Sequence, residues 1–169
     1  EMTRQQRVDE LLALLGLEEC ADTKIGGGFD GVGCSGGQRK RVSIAMELVN
    51  EPSVLFLDEP TSGLDSAMAE EVVKSVRDLS QRGLNVVCTI HQPSPQVFFS
   101  FDQLVLLFKG RLCYIGPPSS ALQYFRAASL LPDEDFSQMN PADVVLGVLA
   151  KTPSSQATDI GNKWSAARR

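Results

Sequence analysis

The sequence predicts an α/β fold with parallel core strands, helices before them and a β-hairpin after them. Three observations carry that expectation. The apolar run Val54, Leu55, Phe56, Leu57 is bounded by turn residues, as expected of a strand buried on both faces. A second run, Val86 to Ile90, follows after a helical stretch, and strand–helix–strand is a right-handed parallel crossover by strong default. Leu104 to Phe108 and Leu112 to Ile115 then flank Lys109, Gly110 and Arg111, which read as a hairpin turn.

Each element has a local reason. Thr3 to Leu15 reads as an amphipathic helix: Thr3 and Gln6 have capping-box spacing, Val8, Leu11, Leu12 and Leu15 share a face, and Gly16 stops it. Cys20 to Cys34 reads as loop. Its Gly26, Gly28 and Gly31 have the spacing of a dinucleotide fingerprint but follow a helix rather than a strand, so they are read as loop glycines. Ser35 caps a helix opened by Gly36 and Gly37, with Val42, Ala45, Met46 and Val49 as its stripe and Arg39, Lys40 and Arg41 as a solvated basic face. Asp65 or Ser66 caps the next helix, whose core face is Ala69, Val72, Val76 and Leu79; Glu70 can pair with Lys74, and Gly83 ends it.

Pro93 and Pro95 end the second strand, and Gln96 to Phe101 reads as a short helix. Ser119 to Ala128 is a further helix, and Asp133, Glu134 and Asp135 form an exposed acidic loop. Asn140 caps and Pro141 opens a last helix with Ala142, Val145, Leu146 and Leu149 on its buried face. Thr152 to Arg169 is polar and aperiodic, a linker or tail.

Composition narrows the function classes. The chain has 169 residues, 43% hydrophobic and 22% charged, enough for a sizeable core. A net charge of -5 argues against a general nucleic-acid binder. No apolar run approaches the roughly 20 residues that span a bilayer, and the start, EMTRQQRVDE, is no secretory signal. Cys20, Cys34, Cys88 and Cys113 are scattered without a C-x-x-C pair, which fits free thiols in a reducing compartment.

Chemistry gathers at three places. Asp58 and Glu59 stand where the first strand ends, and Pro60 takes the chain out of the sheet. Open α/β sheets bind ligands beyond the carboxyl ends of their strands. An acidic pair there suits a hard divalent cation with phosphate oxygens: Asp58 for Mg²⁺, Glu59 for the attacking water. The helix tip at Ser35, Gly36, Gly37 and Gln38 offers free backbone N–H groups with no side chains over them, which is an anion site. His91, the single histidine, ends the second strand at the same sheet edge and could donate a hydrogen bond to a terminal phosphate.

SGGQ, then VLFLDEPTSGLD, then TIHQPS, in that order, resembles the nucleotide-binding domain of an ABC transporter, an ABC ATPase of the P-loop-NTPase kind. SGGQ resembles the signature motif and VLFLD Walker B. Glu59 matches the catalytic glutamate, Ser62 to Asp65 the D-loop and His91 the switch histidine. RVDELLALLGL, SGGQRKRVSIAMEL, KGRLCYIGP and NPAD are similar to the white-type G subfamily, over roughly residues 7 to 150. Cys34 replaces the aliphatic residue usual before the signature serine, and no G-x-x-x-x-G-K-[ST] occurs.

That phosphate loop, the glutamine loop and the adenine-stacking aromatic belong upstream of Glu1 in the family. The resemblance therefore implies a C-terminal portion of the domain: 1–50 the helical signature part, 51–151 Walker B onward, 152–169 the tail. It implies ATP and Mg²⁺ as ligands, with Ser35, Gly36 and Gly37 on a partner's γ-phosphate and Asp65 across the interface. It implies a second nucleotide-binding domain and a transmembrane domain as partners, and the cytoplasmic face of a membrane as location. The implied activity is ATP hydrolysis powering export of lipids or other hydrophobic compounds, with this chain inactive alone. Two alternatives stand beside it: a regulatory protein that kept the core without the phosphate loop, and a DNA-repair or chromosome-maintenance ATPase. The acidity and the absence of sustained heptads argue against the latter.

Overall fold

The computed structural model describes residues 3–26, 33–132, 134–153 and 160. The chain forms two compact units, residues 1–91 and 92–169. Every candidate site residue lies in the first.

The first unit begins with α1, Arg4–Leu15. Thr3 and Gln6 form the expected capping box, and Gly16 closes the helix at φ 60°. A short 3-10 turn, Glu18–Cys20, follows. Next come α2 (Gly36–Leu48), β1 (Val54–Leu57), α3 (Ser66–Gln81) and β2 (Asn85–Cys88). The strands β1 and β2 pair in parallel, Val54 opposite Asn85 through Leu57 opposite Cys88. The loop glycines Gly28 and Gly31 lie outside the described residues.

The core of this unit packs Leu11, Leu15 and Leu17 against Ile44, Leu48, Leu55, Val72, Val76 and Leu79. Four expectations need correction. Val8 is exposed, so α1 buries a narrower stripe. On α2 the buried face is Gly37, Arg41, Ile44 and Leu48, while Met46 and Val49 are exposed. An arginine that neutralises its head group on a neighbouring helix can bury its stem, which moves the face one position away from the purely apolar stripe. The strands are buried on one face only: Leu55 is 4% exposed but Phe56 75% and Val54 43%. Strand side chains alternate between faces, and only the Leu55 face meets helices here. β2 alternates likewise, with Val87 on the open side, and it ends at Cys88 rather than Ile90.

The second unit holds α4 (Pro95–Phe99), β3 (Leu104–Phe108), β4 (Arg111–Gly116), α5 (Pro118–Ala127) and α6 (Pro141–Lys151). The hairpin turn is only two residues, Lys109 at φ 48° and Gly110 at φ 75°, and Arg111 already pairs with Phe108. Two successive positive φ values are those of the type I′ turn that matches strand twist. Phe98, Cys113, Phe125, Val145 and Leu149 build the core. Asn140 accepts the Ala142 N–H as cap and its amide donates to the Pro93 carbonyl at 2.9 Å. On α6, Val144 is buried in place of Leu146, which is exposed. Ile160 is buried in this core; 154–159 and 161–169 of the expected tail, and Asp133 of the acidic loop, lie outside the described residues.

All four cysteines are free thiols. No helix among the described residues is long and apolar enough to cross a membrane.

Candidate functional site

Helix α2 opens with a second capping box. The Ser35 hydroxyl accepts the Gln38 N–H at 3.2 Å, and the Gln38 side-chain oxygen accepts the Ser35 N–H at 2.8 Å. The Gln38 carbonyl group is therefore committed to the cap. Gly36 and Gly37 occupy the first two helical positions, whose N–H groups have no intrahelical acceptor. At Gly36 the lack of a side chain has a packing cause as well. A Cβ on Gly36 would lie 2.9 Å from Leu64 Cδ2, and one on Gly37 would lie 3.5 Å from Met68 Cβ. Gly36 thus lets the tip of α2 press against the residue before the cap of α3, whereas a Cβ on Gly37 would make only an ordinary contact.

Within the basic run after the tip, Arg39 is exposed and Lys40 half-buried, but Arg41 is not solvated. Arg41 is 8% exposed, and its guanidinium meets the Glu71 carboxylate of α3 at 3.1 Å. Arg39 donates to the Cys34 carbonyl at 2.9 Å, and Lys40 Nζ donates to the Glu59 carbonyl at 3.4 Å. Lys40 therefore links the α2 tip region to the acidic turn.

Asp58 and Glu59 are exposed just beyond β1. The parallel register pairs Leu57 with Cys88, so the chain leaves both strands at one sheet edge. There the Thr89 hydroxyl donates to Asp58 Oδ1 at 2.6 Å, and the Glu59 N–H donates to Thr89 Oγ1 at 2.9 Å. Glu59 has φ 46°, an uncommon left-handed conformation for a residue with a side chain. Its carbonyl accepts the Ser62 N–H at 3.1 Å, starting the turn that leads through Gly63 at φ 76° to α3. Asp65, not Ser66, is the cap of α3: its carboxylate accepts the Met68 N–H at 2.8 Å. His91 is exposed and follows β2 at the same edge.

Sequence reasoning missed Thr89, Arg41, Glu71 and Leu64. Thr89 was hidden as an ordinary strand residue, although a hydroxyl two residues before the histidine is a visible signal. The Arg41–Glu71 pair joins positions 30 apart and has no local signature.

Oxygen donors at a strand end suit a hard cation. Among the described residues no group of three or more acidic, histidine or cysteine side chains forms a metal cage. A cation here would rest on Asp58 with oxygens from water or a ligand, which is how Mg²⁺ is usually held. Beside the site, the Cys20 thiol is pushed up from its ordinary value by burial and by the neighbouring Cys34. Cys88, just before Thr89, is raised by burial.

The fold, a parallel strand pair ending in an acidic turn in one unit with a glycine-opened capped helix, is that of an ABC-type cassette. The family model described as ABC transporter matches residues 1–62. The chain is 45% identical to the protein scarlet of Drosophila melanogaster over 89% of its own length and 22% of that protein's. It is 48% identical to ABC transporter G family member 22 of Arabidopsis thaliana, over 85% of this chain and 18% of the relative. It is 42% identical to the broad substrate specificity ATP-binding cassette transporter ABCG2 of Bos taurus, over 95% and 24%.

The chain thus spans about a fifth of the length of these curated relatives. In structure it is similar to an ATP-binding cassette of an ABC transporter, with a TM-score of 0.61 at 24% identity over 74% of this chain and 48% of that one. A nucleotide-free cassette gives the same TM-score over 72% and 46%. The chain carries a segment of an ABC transporter nucleotide-binding domain. Its relatives place that segment in the G subfamily.

Proposed function

We propose that this segment supplies the signature helix, the Walker B acids, the D-loop and the switch histidine of an ATP-hydrolysing domain that powers export of lipids or other hydrophobic compounds. The observation that carries the reading is the acidic pair held at the sheet edge by Thr89, in the same compact unit as the α2 tip.

Each residue has a chemical task. Ser35 with the free amides of Gly36 and Gly37 would bind the γ-phosphate of an ATP held by a second nucleotide-binding domain, since helix N-termini favour anions. Gln38 keeps that tip closed through its cap. Asp58 would hold Mg²⁺, which when bound offsets charge on the phosphates. Glu59 would polarise the attacking water, and His91 would donate a hydrogen bond to the γ-phosphate on its own side. Asp65, fixed at the start of α3, would communicate with the partner domain. Closing and reopening of the two domains would drive an attached transmembrane domain from the cytoplasmic face. The 169 residues contain no phosphate loop of the G-x-x-x-x-G-K-[ST] type, so the chain by itself is expected not to turn over ATP.

The test is Glu59→Gln in the complete ATPase that contains these residues. ATP binding should persist while hydrolysis falls about 10²–10⁴-fold, the usual loss on removing a general base. Loss of ATP binding instead would show that Asp58 and Glu59 do not divide the work as described.

A further inference from the structure

We propose that Thr89 is a positioning residue for hydrolysis: its single hydroxyl locks the Asp58 carboxylate and the Glu59 backbone into one geometry. The inference rests on the proposed roles of those two acids.

The direction of both bonds follows from the chemistry. A carboxylate has no proton to give, so the hydroxyl proton goes to Asp58 Oδ1, and the 2.6 Å distance is that of a charge-assisted O–H···O⁻ bond. The hydroxyl lone pair then accepts the Glu59 N–H at 2.9 Å. A residue with a side chain at φ 46° persists only where its surroundings hold it. Glu59 is held at both ends, its N–H by Thr89 and its carbonyl by the Ser62 N–H and Lys40 Nζ. That fixes the direction in which its Cα–Cβ bond leaves the turn.

Thr89 also joins the strands at the point where the ladder stops. Its N–H donates to the Leu57 carbonyl at 3.0 Å, extending β1–β2 pairing by one residue. His91 lies two residues further along. One side chain therefore ties the segment bearing the histidine to the turn bearing both acids. Only a hydroxyl residue can give and accept at once here; valine has the same shape without either bond.

The test compares Thr89→Val with Thr89→Ser in the complete ATPase containing this chain. Misplacing catalytic groups slightly costs up to about 10²-fold, so Thr89→Val should lower kcat about 10- to 100-fold. KM for ATP should stay within about twofold, and half-maximal activity should need more Mg²⁺. Thr89→Ser should restore kcat to within about threefold. Hydrogen exchange at the Glu59 amide should speed up in Thr89→Val and not in Thr89→Ser. A packing role would predict no such rescue.

Wild-type kcat in Thr89→Val, or equal damage in Thr89→Ser, overturns the proposal. If Thr89→Val does not fold, Thr89→Ala carries the same expectations. Glu59→Gln run in parallel separates the two claims. Undiminished hydrolysis there defeats the functional reading itself. A dead Glu59→Gln beside an unimpaired Thr89→Val defeats only the role of Thr89.

Discussion

Gly36 and Leu64 lie so close that a Cβ on the glycine would sit 2.9 Å from Leu64 Cδ2, and the leucine methyl would have to shift to admit it. The contact joins the residue that opens α2 to the residue before the cap of α3. Gly36→Ala sets two opposing effects against each other. Overpacking costs about 1–3 kcal/mol, while replacing glycine at a helix start regains up to about 1 kcal/mol of backbone entropy. The clash wins by a small margin, because a leucine methyl can move. Urea unfolding should show a loss of about 1 kcal/mol, and a second change, Leu64→Ala, should remove the Gly36→Ala penalty. A penalty that persists in the double variant would place the strain elsewhere.

Arg41 and Glu71 form the other tie between α2 and α3. The burial is lopsided: the Arg41 side chain is 10% exposed and the Glu71 side chain 66%. Removing the glutamate strands a buried cation, whereas removing the arginine leaves a carboxylate that water already reaches. Buried pairs cost about 3–5 kcal/mol when broken and exposed pairs under about 1, so Glu71→Gln should cost about 1–2 kcal/mol. Arg41→Met keeps the stem and should cost less. In a double-mutant cycle on unfolding free energy, additive losses would show that the pair has no coupling.

Local rules made much of this legible. Thr3 with Gln6, Gly16, Ser35, the Asn140–Pro141 start and the two-strand parallel crossover all follow from patterns within a few residues or from chain topology. Asp58, Glu59 and His91 could be sent to one edge for the same topological reason. What stayed hidden was tertiary. Arg41 scores as polar in any periodicity count, so its burial displaced the expected α2 face onto Met46 and Val49. Whether Phe56 is covered depends on neighbours, not on its strand. Thr89 looks like any β-branched strand residue until β1 lies beside it.

Phe56 on β1 and Val87 opposite it on β2 present an open apolar face. Exposed apolar patches drive association. The isolated chain should therefore self-associate with rising concentration, and Phe56→Thr should shift sedimentation toward monomer. Because Phe56 is 75% exposed, the change should alter unfolding free energy by less than about 0.5 kcal/mol. Unchanged association in Phe56→Thr would mean that another surface mediates it.

Stability should fall on the alkaline side, and the cause is burial of groups that ionise to anions. Cys88 is raised by burial; Cys113 is raised by burial, partly offset by a backbone hydrogen bond. Cys20 is raised by burial and then by Cys34, while Tyr114 and Tyr124 are raised mainly by burial. In each case the unfolded chain releases its proton at a lower pH than the folded one. The folded state then binds more protons across that interval, so unfolding free energy declines as pH rises. The contribution is complete below the ordinary thiol value of about 8.5 and is lost as pH climbs through the raised folded values. Urea midpoints taken under reducing conditions should be flat from about pH 7 to 8 and drop beyond pH 9, and Cys88→Ala should reduce the slope. The same burial should keep these thiols slow toward alkylating reagents until urea unfolds the chain. A midpoint that rises with alkalinity would mean that the thiolates are favoured by the fold.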